Sequence, residues 1–225
     1  MADEARPLSI HVGDRAGDVS GLLLLPPNAW SLYVLAHGAW AGMRHRFMER
    51  IAMALEGQGI ATLRYQFPYV EAGGGRPDPQ PVLEATVRAA VARGAEVAPG
   101  LPIVAGGKSM GGRMSSNAMA RAPLGGVRGL VFLGFPLHPP KQPGIARAEH
   151  LDRVECPMLF LQGTRDTLAD LELITSVSGR LGDRATLQVI EGADHGFAVL
   201  KRSGRTDAQV LDELALATAI WLRRL

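Results

Sequence analysis

Short apolar runs and amphipathic segments alternate along the 225 residues of the chain. Two apolar stretches near the start, residues 8–12 and 19–26, are joined by a turn-rich link and are typical of a β-hairpin. Further apolar runs predict six more strands. These runs cover residues 32–36, 60–65, 101–105, 127–135, 157–163 and 185–191.

Between the strands, apolar residues recur at helical spacing. This spacing predicts helices near residues 47–55, 83–91, 111–120, 168–174 and 210–225. Because strands alternate with helices, we expect an α/β fold with a doubly wound, mostly parallel sheet, helices on both faces and an N-terminal antiparallel hairpin. The length and apolar content fit a single domain over residues 1–225, with ligands bound at the carboxyl ends of the strands.

Two segments interrupt the pattern. Residues 66–79 are rich in glycine and proline, which predicts an irregular loop over one end of the sheet. Residues 136–155 are rich in proline and predict a small flap, which is too short to form a large cap domain.

Composition narrows the possible partners and the compartment. The net charge is +2 and the arginines are scattered, so no basic face for nucleic acid is expected. The single cysteine, Cys156, cannot form an internal disulfide, and the first residues do not resemble a signal peptide. No apolar run is long enough for a membrane span, and we expect a cytoplasmic protein without a membrane anchor. The composition indicates no oligomeric state.

The strongest chemical signal is the stretch from Gly107 to Gly111, which fits Gly-x-Ser-x-Gly around Ser109. An apolar strand precedes it and a helix-compatible segment follows, as in a sharp turn that exposes a nucleophilic serine. A serine hydroxyl needs an adjacent base and N–H groups that receive the developing oxyanion. Pro102 stands where a phosphate-binding loop requires glycine, which argues against that motif.

Two residues after late strands are the candidate partners of Ser109. Asp166 follows the strand at 157–163, and His195 follows the last strand. We expect His195 to act as the base and Asp166 to orient it. Asp194 is adjacent to His195 and poorly placed to pair with it, Asp170 is a weaker substitute, and Asp166 also suits a helix N-cap.

The oxyanion should meet two backbone N–H groups, those of Met110 and Ala39, with Trp40 as the alternative to Ala39. His37 is expected to brace this loop. Aromatic residues and one histidine near the strand ends are candidate walls of an apolar acyl pocket. They are Trp40, Phe67, Tyr69, Phe135, His138 and Phe197. The histidines lack metal-ligand spacing, so no metal is expected. Lys108 could contact substrate or a neighbouring loop, or lie in solvent.

At these motifs the chain resembles small serine α/β-hydrolases of the dienelactone-hydrolase-like group, in a compact bacterial branch. The resemblance rests on residues 37–39, 107–112, 162–166 and 194–197. It implies an α/β-hydrolase fold, whose nucleophile, acid and histidine occur in the chain order found here. Dienelactone hydrolases proper carry cysteine as the nucleophile, and Ser109 instead favours esterase-like acyl transfer.

We therefore expect a cofactor-free serine hydrolase that cleaves an ester or thioester of a small acyl substrate through Ser109, His195 and Asp166. A peptidase or perhydrolase with the same three residues is one alternative. A non-catalytic interaction protein on a hydrolase fold is another, because a fold does not fix a function.

Overall fold

The computed structural model describes residues 4–225, and eight strands form one sheet in the order β1-β2-β4-β3-β5-β6-β7-β8. The strands are β1 Arg6–Gly13, β2 Gly17–Leu24, β3 Ser31–Ala36, β4 Ile60–Tyr65, β5 Ile103–Lys108, β6 Val127–Leu133, β7 Met158–Gly163 and β8 Ala185–Ile190. Strands β3 to β8 pair in parallel, whereas β1 pairs antiparallel with β2, and β2 antiparallel with β4. The predicted hairpin and mostly parallel sheet are confirmed.

Helices cover both faces of the sheet. They are α1 Arg46–Glu56, α2 Pro68–Glu71, α3 Gln80–Val97, α4 Met110–Arg121, α5 Leu171–Leu181 and α6 Asp207–Leu222, with 3₁₀ turns at Ala146–Arg153, Gly182–Arg184 and Lys201–Ser203. Helices α1 and α6 pack together on one face, and α3, α4 and α5 contribute to the core on the other. None of the helices in residues 4–225 is long and apolar enough to cross a membrane.

The central strands are buried on both faces, which explains their continuous apolar runs. Every residue of β3, β4 and β7 is buried. Among residues 4–225, β8 is the last strand of the sheet, pairs with β7 alone, and exposes several of its residues. The sheet is therefore firmly packed at its centre and open at this edge.

The predicted loop and flap are more ordered than expected. The loop at 66–79 contains α2, which begins with Pro68, a residue suited to a first helical turn. In the expected flap, Ala146–Arg153 forms a 3₁₀ helix, and the side chains of Ala148 and Leu151 are fully buried. The second half of this segment therefore belongs to the core and does not form a free flap.

Candidate active site

Ser109 lies in the turn between β5 and α4, at the carboxyl edge of the sheet centre. Its backbone has φ 50° and ψ −116°, a left-handed conformation that costs a residue with a side chain about 1–3 kcal/mol. Gly111 allows the helix to approach β3, since a Cβ there would lie 2.6 Å from the carbonyl oxygens of Ala36 and His37. The strained turn presents the serine hydroxyl to a cavity.

His195 and Asp166 form a hydrogen-bonded line with Ser109. The Nε2 atom of His195 lies 2.9 Å from Ser109 Oγ, and Nδ1 lies 2.7 Å from Asp166 Oδ2. Because a carboxylate accepts and does not donate, Nδ1 carries the proton, and Nε2 is free to accept from the serine hydroxyl. The arrangement can transfer the serine proton to the imidazole in one step.

The carboxylate of Asp166 is fully enclosed and held by several donors. Gln162 Nε2 donates to Oδ2 at 2.5 Å, and the Leu168 N–H donates to Oδ1 at 2.8 Å. Asp170 is the N-cap of α5, where its Oδ1 accepts from the N–H groups of the first helical turn. Asp166 therefore faces the histidine, and the helix N-cap, a role that the sequence suggested for Asp166, is Asp170.

Asp194, the acid next to His195, holds the histidine loop. Its Oδ1 accepts from the Gly196 N–H at 2.8 Å and from the Ala198 N–H at 3.0 Å. These bonds explain why it does not pair with the adjacent imidazole.

Met110 and Ala39, whose N–H groups are expected to receive the oxyanion, line the same cavity as Ser109. Met110 is the first residue of α4, and Ala39 lies in the loop after β3. In the part of the chain that the structure describes, neither N–H donates to a protein acceptor. A Cβ added at Gly38 would lie 3.6 Å from the Cβ of Ser109, which shows how closely the Ala39 loop approaches the nucleophile turn. The oxyanion role of these two N–H groups therefore stays a prediction.

His37 holds the Ala39 loop. Its Nδ1 lies 2.7 Å from the Gly38 carbonyl oxygen, and its Nε2 accepts from the Phe67 N–H at 3.2 Å. Burial lowers the pKa of His37 to about 4, so the imidazole is neutral at pH 7 and donates from Nδ1. Its bonds lie within the protein, as expected for a bracing residue.

Lys108, the residue before the serine, places a charged group behind the histidine. Its Nζ has no exposed surface and no hydrogen-bond partner within residues 4–225. It lies 5.5 Å from the ring centre of Phe197 and 5.9 Å from that of Phe47. Burial lowers the pKa of Lys108 to about 8, although the negative charges of Asp166 and Asp194 act to raise it. The Lys108 amine is thus a buried group, not a solvated one.

Replacing Lys108 with methionine should stabilise the protein at pH 7 by about 1–3 kcal/mol, because the variant buries no ammonium group. Between pH 8 and 10.5 the unfolded chain binds more protons than the native protein, so the stability of the parent rises with pH there. The advantage of the variant should shrink over that interval. Urea unfolding of the parent and the variant at pH 7 and pH 10 measures this difference in stability, with Lys201→Met at an exposed position as the control. Equal stability of parent and Lys108→Met at pH 7 would contradict the burial of the charge.

A cavity of about 640 Å³ opens above Ser109 and His195. Trp40, one of the six expected wall residues, lines it and is 74% exposed. The other walls are mostly residues that sequence reasoning did not select. They include Phe47, Met48, Leu83, Met114, Pro136 and Leu168.

The remaining five expected wall residues lie outside this lining, which corrects that expectation. Phe67 and Tyr69 are buried beside His37. Phe135 packs in the core against Phe132 and Phe160. The last two serve the surrounding structure: His138 Nε2 accepts from the Asp170 N–H, and Phe197 stacks on Phe47.

Two arginines of the cavity wall were also missed. Arg113 lies one helical turn after Ser109 on α4, and Arg147 lies in the 3₁₀ helix at Ala146–Arg153. The four-residue spacing from Ser109 could have indicated Arg113, since residues i and i+4 share a helix face. Nothing local in the sequence indicates Arg147, because folding of the 136–155 segment brings it to the wall. Among residues 4–225, no group of three His, Cys, Asp or Glu side chains could hold a metal ion.

Residues 30–223 match the model of a family described as an alpha/beta hydrolase domain. Three solved structures illustrate the structural similarity. A dienelactone hydrolase from Anabaena variabilis is 21% identical with a TM-score of 0.76, over 100% of this chain and 99% of that chain. A serine hydrolase without lid from Xanthomonas campestris is 19% identical with a TM-score of 0.74, over 98% of this chain and 96% of that chain. An esterase domain from Rhodothermus marinus is 16% identical with a TM-score of 0.73, over 99% of each chain. These similarities confirm the predicted fold class.

Proposed function

Because the chain belongs to the alpha/beta hydrolase domain family, we propose that it is a serine hydrolase that cleaves an ester or thioester of a small acyl substrate. The observation that carries the proposal is the hydrogen-bonded line from Ser109 through His195 to Asp166. Family membership supports hydrolase activity, and the line supplies a nucleophile, a base and an orienting acid at the carboxyl edge of the sheet.

In the proposed reaction, Ser109 Oγ attacks the carbonyl carbon while its proton passes to His195 Nε2. The oxyanion accepts hydrogen bonds from the N–H groups of Met110 and Ala39. The carbon–oxygen or carbon–sulfur bond breaks, the leaving group takes the proton from His195, and an acyl-enzyme remains. Water then gives a proton to His195 and attacks the acyl carbon, which releases the acid and restores the serine. Asp166 holds the imidazole in the required tautomer throughout.

The cavity supports a substrate of modest size. Its volume, about 640 Å³, lies within the range of small-molecule sites, and apolar side chains such as Met48 and Met114 form part of its wall. A peptidase or perhydrolase would use the same three residues, and panels of ester, thioester and peptide substrates distinguish these activities. An interaction protein would not need the three residues in line.

A fluorophosphonate probe tests the proposal directly, because only an activated serine displaces its fluoride rapidly. Intact mass should show a single adduct, and peptide mapping should locate it on Ser109. We expect Ser109→Ala to lose the adduct and His195→Ala to slow its formation strongly. Ser176→Ala, which removes an exposed hydroxyl from α5, should label like the parent.

The outcomes separate the two classes of function. An adduct on Ser109 together with ester hydrolysis supports the serine hydrolase. A correctly folded protein that neither labels at Ser109 nor hydrolyses any ester of the panel would overturn the proposal and favour the interaction protein.

A further inference from the structure

The side chains that line the cavity above Ser109 carry more positive than negative charge. Arg113, Arg147 and Lys108 line it, whereas Asp78 is the carboxylate among the lining residues. The Asp78 Oδ2 atom already accepts from the Tyr69 N–H at 2.8 Å. The amine of Lys108 is enclosed, as described above, so the charge presented to a ligand comes from the two arginines.

Arg113 and Arg147 line the same cavity, and their positive charges repel each other. Burial and the positive charge of Arg147 together lower the pKa of Arg113. In the chain from residue 4 onward, neither guanidinium forms an ion pair with a carboxylate. The Arg113 Nε atom is buried without a hydrogen-bond partner among residues 4–225, and Arg147 donates to the His138 carbonyl oxygen at 3.1 Å. Two positive charges held together without an anion destabilise the folded protein. Arginines that pair with a carboxylate elsewhere in the fold do not have this disadvantage.

His150 is a titratable group whose pKa is affected by the charge of Arg113. Its Nε2 lies 2.7 Å from Ser116 Oγ. Burial, and then the positive charges of Arg113 and Arg153, lower the pKa of His150 to about 4, so it is neutral at pH 7. His150 therefore neither neutralises nor adds to the positive charge of the two arginines.

We infer that Arg113 and Arg147 form an anion subsite of the cavity, and that the substrate is an ester carrying a carboxylate away from its reacting carbonyl. This inference rests on the proposed serine hydrolase function. A carboxylate would supply the missing counter-charge and accept charge-assisted hydrogen bonds from the two guanidinium groups. Arg113 lies one helical turn from Ser109. One small molecule can therefore place its reacting carbonyl at Ser109 and its carboxylate at Arg113.

Paired substrates test the subsite. The mono-4-nitrophenyl ester of glutaric acid is compared with its neutral primary-amide analogue, which has almost the same shape. A second pair, 4-carboxyphenyl and 4-carbamoylphenyl butyrate, places the charge on the leaving group. We expect kcat/KM to favour the carboxylate member at least about tenfold in one of the pairs. Which pair shows the preference identifies the side of the ester that carries the charge.

The variants assign that preference to the arginines. Arg113→Gln and Arg147→Gln should each reduce the carboxylate-to-amide ratio to about threefold or less. Arg224→Gln, which removes the same charge from an exposed site at the chain end, should keep the parent ratio. Thermal unfolding of each variant verifies that it is folded.

A binding measurement keeps the test independent of turnover. Titration calorimetry with glutarate should show binding to the parent, no binding of glutaramide, and a loss of glutarate affinity of about tenfold or more in Arg113→Gln. Hydrolysis of neutral and anionic esters at equal kcat/KM, with no glutarate binding, would overturn the subsite and leave the serine hydrolase intact. Failure of labelling and of all ester hydrolysis, with glutarate still bound, would overturn the proposed function alone.

Discussion

Replacing Asp166 with asparagine is expected to lower kcat/KM for ester substrates about 10³- to 10⁴-fold, through a change of tautomer in His195. In the native site, Asp166 Oδ2 accepts from both His195 Nδ1 and Gln162 Nε2, and Oδ1 accepts from the Leu168 N–H. Every position around the carboxylate thus calls for an acceptor. An asparagine must place its NH₂ group at one of these positions.

The better orientation of that asparagine keeps its oxygen on the Leu168 N–H and turns its NH₂ toward Gln162 and His195. The NH₂ group then donates to His195 Nδ1, which moves the imidazole proton to Nε2. In that tautomer Nε2 cannot accept the proton of Ser109. The Gln162 amide also loses its acceptor in a buried site, and rotation of this amide would deprive the Phe135 N–H of its partner.

The measurement is steady-state hydrolysis of a 4-nitrophenyl ester, with unfolding curves as a check on stability. Asp170→Asn is the matched control, because asparagine caps helices about as well as aspartate and, within residues 4–225, the His195 ring bonds to Asp166 and Ser109 and not to Asp170. We expect this control to retain activity within about threefold of the parent. If the two variants had equal activity, the role assigned to Asp166 would be wrong.

The second large effect concerns the fold itself: Gly106→Ala should destabilise the protein by more than about 4 kcal/mol. Gly106 pairs with Val131 across β5 and β6 and has φ +143°. A Cβ at this position would lie 1.9 Å from the Val131 carbonyl oxygen and about 3 Å from two other backbone atoms of that residue. This clash can be relieved only if the two central strands move apart, because backbone atoms cannot rotate away as the end of a flexible side chain can.

Urea unfolding followed by circular dichroism measures this effect, and loss of soluble protein counts as the same result. Gly179→Ala in α5 is the control, since nothing lies within 4 Å of its added Cβ. Alanine favours a helix over glycine, so this variant should gain about 0.5–1 kcal/mol. A Gly106→Ala protein with the parent's unfolding midpoint would show that β5 and β6 do not approach so closely.

The strands and the sites that follow them could be predicted because their signals are local. Buried central strands read as continuous apolar runs, and parallel strands bring their carboxyl ends to one edge. Ser109 directly follows β5, Asp166 lies three residues beyond β7 and His195 five residues beyond β8, and their side chains meet at that edge. Positions next to strand ends therefore carried enough information to group three distant residues.

The cavity walls depended on turns whose direction the sequence does not specify. Phe135 follows Gly134, whose φ of +71° turns the chain so that the aromatic ring enters the core. Phe197 itself adopts φ 63°, and its ring lies beneath the amine of Lys108. Both residues are near the site in sequence, yet their rings point elsewhere. Arg147 reaches the wall only because the 136–155 segment packs as a 3₁₀ helix.

The exposed edge strand β8 has a consequence for how activity is lost on heating. His195 lies five residues beyond β8, which is hydrogen-bonded on one side only, whereas Ser109 follows β5 in the sheet centre. Local opening at a sheet edge requires less free energy than global unfolding. Amide protons of β8 should therefore exchange with solvent before those of β5. Inactivation would then begin as a local fraying event that displaces the imidazole while the nucleophile turn is still folded.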